Sequence, residues 1–148
     1  MALVVGANSW LSVADADAYF VERLGAAETW NDTLVAATKE AALITAYRQL
    51  MADDRFAFPV TIMAAMKNGQ CEHALFLLQN VGDTDARMGI RAQGVISAGI
   101  AKEGYAGYDG ELPYPPTVMA LLKPYWVGRP VIGGVLIYRD ENDERLGE

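Results

Sequence analysis

The sequence predicts a mainly α protein: a four-helix, bundle-like domain with a glycine-rich β-hairpin or extended loop and a C-terminal extended arm. Apolar residues recur at helical spacing in four stretches, and seven of the fourteen glycines lie between residues 82 and 110. An apolar, β-prone segment then precedes a charged C-terminus. The 148 residues suit one domain, divided into a helical part, 1–128 with the loop 82–114, and an arm with an acidic tail, 129–148.

The first helix is predicted to begin after Ser12. The Ser12 hydroxyl can accept a hydrogen bond from a free backbone N–H of the first turn, and the charge of Asp15 suits the positive end of the helix dipole. Four apolar residues then share one face of this helix: Val13, Ala16, Phe20 and Leu24. The pattern therefore predicts an amphipathic helix that packs on a core.

The second helix is predicted to start at Asp32 or Thr33, both good N-caps, and to run to about Ala52. Lys39 and Arg48 are candidates for its outward side. Its apolar stripe comprises Leu43, Ile44, Tyr47, Leu50 and Met51.

The third helix is the longest, predicted over about Val60 to Asn80 because Pro59 suits a helix start. Gly69 within it costs roughly 1 kcal/mol against alanine, so we expect it to permit a close crossing with another helix. A fourth, short helix follows residues 115–117 and ends or kinks near Pro124.

The glycine-rich stretch from Gly82 to Gly110 is predicted to form a β-hairpin or an extended loop. Long loops in compact domains often carry function, so this region is a candidate interaction surface. Its basic residues and a tyrosine are the interface candidates: Arg87, Arg91, Lys102 and Tyr105.

The segment from Val131 to Tyr138 is predicted to act as an extended arm that adds to a partner's sheet edge or groove. Its apolar interface candidates are Val131, Ile132, Val135, Leu136, Ile137 and Tyr138. The last ten residues carry five acidic residues and two arginines, which would keep the arm soluble before it docks.

The charge balance limits the possible partners. Nineteen acidic and twelve basic residues give a net charge of −7, whereas phosphate-backbone binding depends on Lys and Arg. Nucleic-acid binding by the isolated chain is therefore disfavoured. No apolar run approaches the ~20 residues of a membrane span, so no membrane partner is expected.

Catalytic, cofactor and metal sites are not predicted. The single cysteine, Cys71, excludes an internal disulfide, and with only His73 nearby it lacks the partners for a metal site. We expect Cys71 to be a small buried hydrophobe and His73 a partly exposed helix residue. The acidic pairs are assigned to capping and turns: Asp15 and Asp17, Asp53 and Asp54, Asp83 and Asp85. A small hydrolase built on Asp and His stays open only as a remote alternative.

Three phrases of the sequence carry a family resemblance. They are Asn-Ser-Trp-x-Ser-x-Ala-x-Ala-x-x-Tyr-Phe from Asn8 followed by Trp30, Lys39 to Ile44, and Met66-Lys67-x-x-Gln70-Cys71-Glu72-x-Ala74-Leu75. In this order they resemble the head–tail connector (adaptor) proteins of tailed bacteriophages. Some members of that group are labelled DnaT-like single-stranded-DNA-binding proteins. The resemblance runs from about Asn8 to Trp126.

The resemblance implies a structural, non-enzymatic role. It implies a helical adaptor domain that assembles as a twelve-subunit ring beneath the portal, in the virion neck, and is made in the host cytoplasm. The ring would continue the channel through which double-stranded DNA passes without specific binding. Residues 131–138 would face the portal protein, and the loop region from Arg87 to Gly110 would face a tail or stopper protein. The alternative is a single-stranded-DNA-binding accessory protein, although no groove of aromatic and basic residues is visible.

Overall fold

The computed structural model describes residues 2–92, 97–98, 103–104 and 114–127. The chain is mainly α, as predicted. Its elements are the helices α1 (Val13–Val21), α2 (Ala36–Ala52) and α3 (Ala64–Ala92), the two-residue strands β1 (Ser97–Ala98) and β2 (Glu103–Gly104), helix α4 (Pro116–Leu122) and a 3-10 helix (Lys123–Tyr125). Within the described part, no helix is both long and apolar enough to cross a bilayer.

Helix α1 begins as the sequence predicts. The Ser12 hydroxyl accepts a hydrogen bond from the Asp15 N–H at 3.1 Å, and the Asp15 carboxylate accepts one from the Ser12 N–H at 3.2 Å. The bond from the Ser12 backbone lowers the pKa of Asp15. The prediction for Leu24 is wrong, because α1 ends at Val21 and Leu24 is 94% exposed beyond it.

Helix α2 begins three to four residues later than predicted, at Ala36 with Val35 as its N-cap. The reason lies in Asn31, whose side-chain oxygen accepts hydrogen bonds from the backbone N–H groups of Thr33 and Leu34. Asn31 thus closes a separate turn, and the N-cap of α2 makes no side-chain hydrogen bond. The predicted end at Ala52 is confirmed.

The predicted start of the third helix is wrong, whereas its predicted end at Asn80 falls at a break in the helix. Helix α3 starts at Ala64, because residues 59–63 bend so that Phe58 and Ile62 pack into the core. At the predicted end, Asn80 does leave the helical conformation (φ −128°, ψ 15°), and its side chain donates to the Phe76 carbonyl at 2.9 Å. The helix resumes after this kink and continues to Ala92.

The glycine-rich prediction therefore needs correction at its start, because residues 82–92 are helical rather than loop or hairpin. Beyond α3, Ser97 pairs with Gly104 and Ala98 with Glu103 in a short antiparallel ladder. The rest of this region, apart from Tyr114, and the arm with its domain boundary at residue 128 lie outside the described residues. The hairpin and the arm stay predictions.

The helices enclose two apolar cores. The first core comprises Leu11, Ala16, Phe20, Ala26, Trp30, Ala42, Leu43, Ala46, Cys71, Ala74 and Leu75. The second core comprises Trp10, Leu50, Phe56, Met66, Val118 and Leu122. The middle of α2 borders the first core through Ala42, Leu43 and Ala46, and its C-terminal end borders the second core through Leu50. The two cores adjoin, because Trp10 of the second core directly precedes Leu11 of the first.

Gly69 lies where α3 crosses α4, as predicted. A Cβ atom at this position would sit 2.7 Å from Cδ2 and 2.8 Å from Cγ of Leu122, which is fully buried. These distances are well below van der Waals contact. The close approach of the two helices therefore depends on the absence of a side chain at residue 69.

Gly69→Ala is expected to destabilise the protein by about 1–2 kcal/mol, because overpacking outweighs the gain in helix propensity. Gly82→Ala, in the same helix with no atom within 4 Å of the added Cβ, is the matched control. It should stabilise the protein by about 0.4–1 kcal/mol. Urea unfolding of both variants measures the effect, and a shift of the same sign in both would contradict the crossing.

Candidate functional site

The residues predicted to form interfaces are not brought together among the described residues. Arg87 and Arg91 lie in the part of α3 that follows the kink, not in a loop. Lys102, Tyr105 and the six arm residues from Val131 to Tyr138 lie outside the described residues. The described part instead places four clusters of polar or exposed side chains on the ends and seams of the helices.

The first cluster is centred on Gln70, which is fully buried. Its amide nitrogen donates to the Ser9 hydroxyl and to the Leu43 carbonyl, each at 2.8 Å. Its amide oxygen accepts from the backbone N–H of Trp10 at 2.8 Å. One side chain thereby joins the segment before α1, helix α2 and helix α3.

The second cluster joins α1 to α3 through Glu72, whose side chain is 5% exposed. Its carboxylate accepts from the Tyr19 hydroxyl at 2.8 Å and from two nitrogens of Arg23 at 3.0 and 3.1 Å. Burial and the hydrogen bond to Glu72 raise the pKa of Tyr19, and the same carboxylate raises the pKa of Arg23. Each charge is compensated, so this cluster has a positioning role.

The third cluster lies at the start of α2, where Lys39 is buried and not outward-facing as predicted. The Lys39 amine contacts one Asp17 oxygen at 2.8 Å and lies 5.4 Å from the centre of the Trp30 ring. Asp17 also accepts a hydrogen bond from the Trp30 indole N–H at 2.7 Å. Burial alone would raise the pKa of Asp17, but these two hydrogen bonds lower it. The sequence reasoning missed this cluster because the long Lys39 stem can cover apolar surface while its amine reaches a carboxylate.

The fourth cluster fixes the chain where it leaves the described part. The Arg55 and Asp53 side chains are 8% and 5% exposed and form an ion pair, and the guanidinium lies over the rings of Tyr114 and Trp126 at 5.6 and 5.3 Å. Backbone hydrogen bonds join the segments around Arg55 and Trp126. The Val127 N–H donates to the Arg55 carbonyl at 2.8 Å, and the Ala57 N–H donates to the Tyr125 carbonyl at 2.9 Å. Residue 127 is therefore held firmly beside the second core.

Cys71 and His73 differ in how well they were predicted. Cys71 is fully buried, as expected, and burial raises the pKa of its thiol to about 12. His73 is 1% exposed, so the prediction of a partly exposed residue is wrong. Its Nε2 lies 2.6 Å from the Gln49 side-chain oxygen, and its Nδ1 has no partner. No group of three or more potential metal ligands comes together in residues 2–92 and 114–127.

His73 makes the stability depend on pH in a defined window. Burial lowers the pKa of His73 to about 4, below its ordinary 6.5, so the unfolded chain binds a proton more readily. The contribution of His73 to the free energy of unfolding is complete above about pH 6.5. It falls as the pH drops towards 4, by up to about 1.4 kcal/mol per pH unit. Urea unfolding at pH 7 and 4.5 measures the loss.

His73→Gln should remove most of this pH dependence. The lowered pKa values of Asp17 and Asp53 act in a separate window, because their contribution is lost only as the pH falls below about 4. An unchanged slope between pH 6.5 and 4.5 in the variant would contradict the assignment to His73.

The described surface also holds an open depression of about 500 Å³ beside the first core. Phe20 and Trp30, each 4% exposed, form its floor. The walls include Val21 and Leu24, which are 85% and 94% exposed. Glu22 and Asp32, both exposed, add carboxylates to the lining. Exposed aliphatic side chains over a concave surface are typical of a protein contact.

Comparisons of the chain with protein-family models, with curated proteins and with solved structures found no match. The resemblance to phage adaptors therefore stays a prediction, and the function has to be argued from the geometry.

Proposed function

We propose that this protein is a structural head–tail connector, the adaptor of a tailed bacteriophage. It forms a ring, of twelve subunits on the family pattern, that lies beneath the portal and continues the DNA channel to the tail or stopper protein. Residues 131–138 face the portal, and the region from Arg87 to Gly110 faces the next tail component. The chemistry is not enzymatic, because the protein acts through its shape and its contacts.

One observation carries the proposal: polar side chains from all three phrases of the resemblance join the helices to one another. Ser9 and Trp10 from the first phrase bind Gln70 from the third, and Tyr19 binds Glu72. Lys39 of the second phrase binds Asp17 of the first. Specified residues of the first and third phrases thus contact each other directly, which supports the proposal. The charged and hydrogen-bonding groups of these residues are paired with one another within the fold.

Deletion of the gene from the phage genome that encodes the chain tests the proposal. We expect DNA-filled capsids and separate tails, with normal portal and capsid assembly, in electron micrographs of the lysate. Wild-type protein supplied in trans should restore joined particles. Particles that join normally without the gene would overturn the proposal.

Single-stranded-DNA binding is the alternative, and the net charge of −7 weighs against it. A gel-shift assay at low salt separates the two functions. We expect no salt-sensitive binding of single-stranded DNA at sub-micromolar protein, and such binding would favour the alternative.

A further inference from the structure

The depression beside the first core has a defined chemistry. Its floor and walls are apolar, and its two unpaired charges, Glu22 and Asp32, are both acidic. The only basic residue in its lining, Arg23, is already neutralised by Glu72. An occupant that fits this surface has apolar side chains next to a positive charge.

The chain itself contains such a segment. Residues 128–139 carry two arginines, no acidic residue and six large apolar side chains, within a protein whose net charge is −7. The segment starts directly after Val127, where the described chain ends. Its first part, Arg129-Pro130-Val131-Ile132, places an arginine two residues before an aliphatic pair. This order of charge and apolar residues matches the acidic, apolar depression.

In one chain, the length of α2 separates the depression from the start of this segment. Two residues of α2 mark this separation: Lys39 contacts Trp30 of the depression, and Asp53 pairs with Arg55. They lie fourteen residues apart along the helix, which corresponds to a rise of about 21 Å. Val127 is bonded to Arg55, and two extended residues reach at most about 7 Å. This separation favours a contact of Arg129 with the carboxylates of another copy.

We propose that residues 129–132 of one copy dock into the depression that the end of α1 and the connection to α2 form on a second copy. Val131 and Ile132 cover Val21 and Leu24, and Arg129 faces Glu22 and Asp32. The docking segment and the depression are different surfaces of the chain, so the contact is heterologous and repeats from copy to copy. This inference rests on the proposed ring and narrows the portal-facing segment proposed above, because Val131 and Ile132 then contact the neighbouring copy and only residues 135–138 face the portal.

Disulfide trapping between two chains that each carry one added cysteine tests this contact. Leu24→Cys and Val131→Cys are made in separate full-length chains, mixed and oxidised gently. Cys71 is fully buried and does not compete. Thr45→Cys, exposed on α2, replaces Leu24→Cys in the control mixture. We expect roughly tenfold more heterodimer from the 24/131 mixture than from the 45/131 mixture, because docking raises the effective concentration.

Charge reversal provides a second test of this contact. Glu22→Lys in the Leu24→Cys chain should lower the yield of heterodimer roughly two- to fivefold. Arg129→Glu in the Val131→Cys chain should then restore it. Equal yields from the two mixtures, or an intramolecular disulfide in a Leu24→Cys, Val131→Cys double variant, would overturn the contact.

Complementation of the deletion phage separates this inference from the proposed function. A chain with Leu24→Asp is expected to fail to restore joined particles if the contact builds the ring. Normal joining by this variant would remove the contact and leave the adaptor role standing. Normal joining without any protein would remove the adaptor role itself.

Discussion

Asp53→Ala is expected to destabilise the protein by about 3 kcal/mol, because it removes the carboxylate that compensates the buried Arg55 guanidinium. The pair is almost fully shielded from water, and Asp53 accepts from the Arg55 backbone N–H at 3.0 Å and from its Nε at 2.8 Å. Burial alone would raise the pKa of Asp53, but the bonds from Arg55 lower it. The carboxylate is therefore charged at neutral pH, and its loss removes the hydrogen-bonded counter-ion of a buried cation.

The neighbouring residue supplies the control for this prediction. Asp54 is exposed, so Asp54→Ala should change the free energy of unfolding by less than about 0.5 kcal/mol. Urea unfolding measures both variants. Equal effects at residues 53 and 54 would show that the ion pair contributes little.

Local signals in the sequence were sufficient for several elements. Ser12 and Asp15 predicted the start of α1, the Pro115-Pro116 pair predicted α4, and Gly69 predicted the close crossing of α3. At the starts of α1 and α4 the residues that decide the structure are neighbours in sequence. At Gly69 the residue type itself is the signal, because a glycine inside a helix commonly permits a close crossing. These predictions needed no knowledge of distant contacts.

The errors arise where a residue far away in the sequence decides the local structure or the burial of a side chain. Lys39 and His73 have the polarity of surface residues, yet Asp17 and Gln49 on other parts of the chain allow them to be buried. The continuation of α3 past Asn80 was missed because Gly82 and Gly89 lower helix propensity, and a local pattern assigns such a stretch to loop. Periodicity alone does not contain these pairings.

The candidate surface was missed for a related reason. Leu24 was placed on the apolar face of α1 because the helical period was extended one turn too far. The same residue, once beyond the helix, becomes an exposed wall of the depression. An earlier signal was present in Gly25, which follows Leu24 and adopts a φ of +81° that favours glycine.

Gln70→Met is expected to cost about 3–6 kcal/mol, the second large effect. Methionine has nearly the same shape but cannot replace the three hydrogen bonds, so the Trp10 N–H, the Ser9 hydroxyl and the Leu43 carbonyl all lose a buried partner. Because Gln70 joins three segments, the loss should loosen the segment before α1 first. Faster hydrogen exchange of the Trp10 amide reports this locally.

Gln79→Met, at an exposed position of the same helix, is the matched control and should be nearly neutral. A fully unfolded Gln70→Met variant would agree with the upper part of the range, because the expected cost then exceeds a typical marginal stability. A Gln70→Met protein with wild-type stability and wild-type protection of Trp10 would mean that the segments are held together by apolar packing alone. In that case the hydrogen bonds of Gln70 would not be what positions the segment before α1.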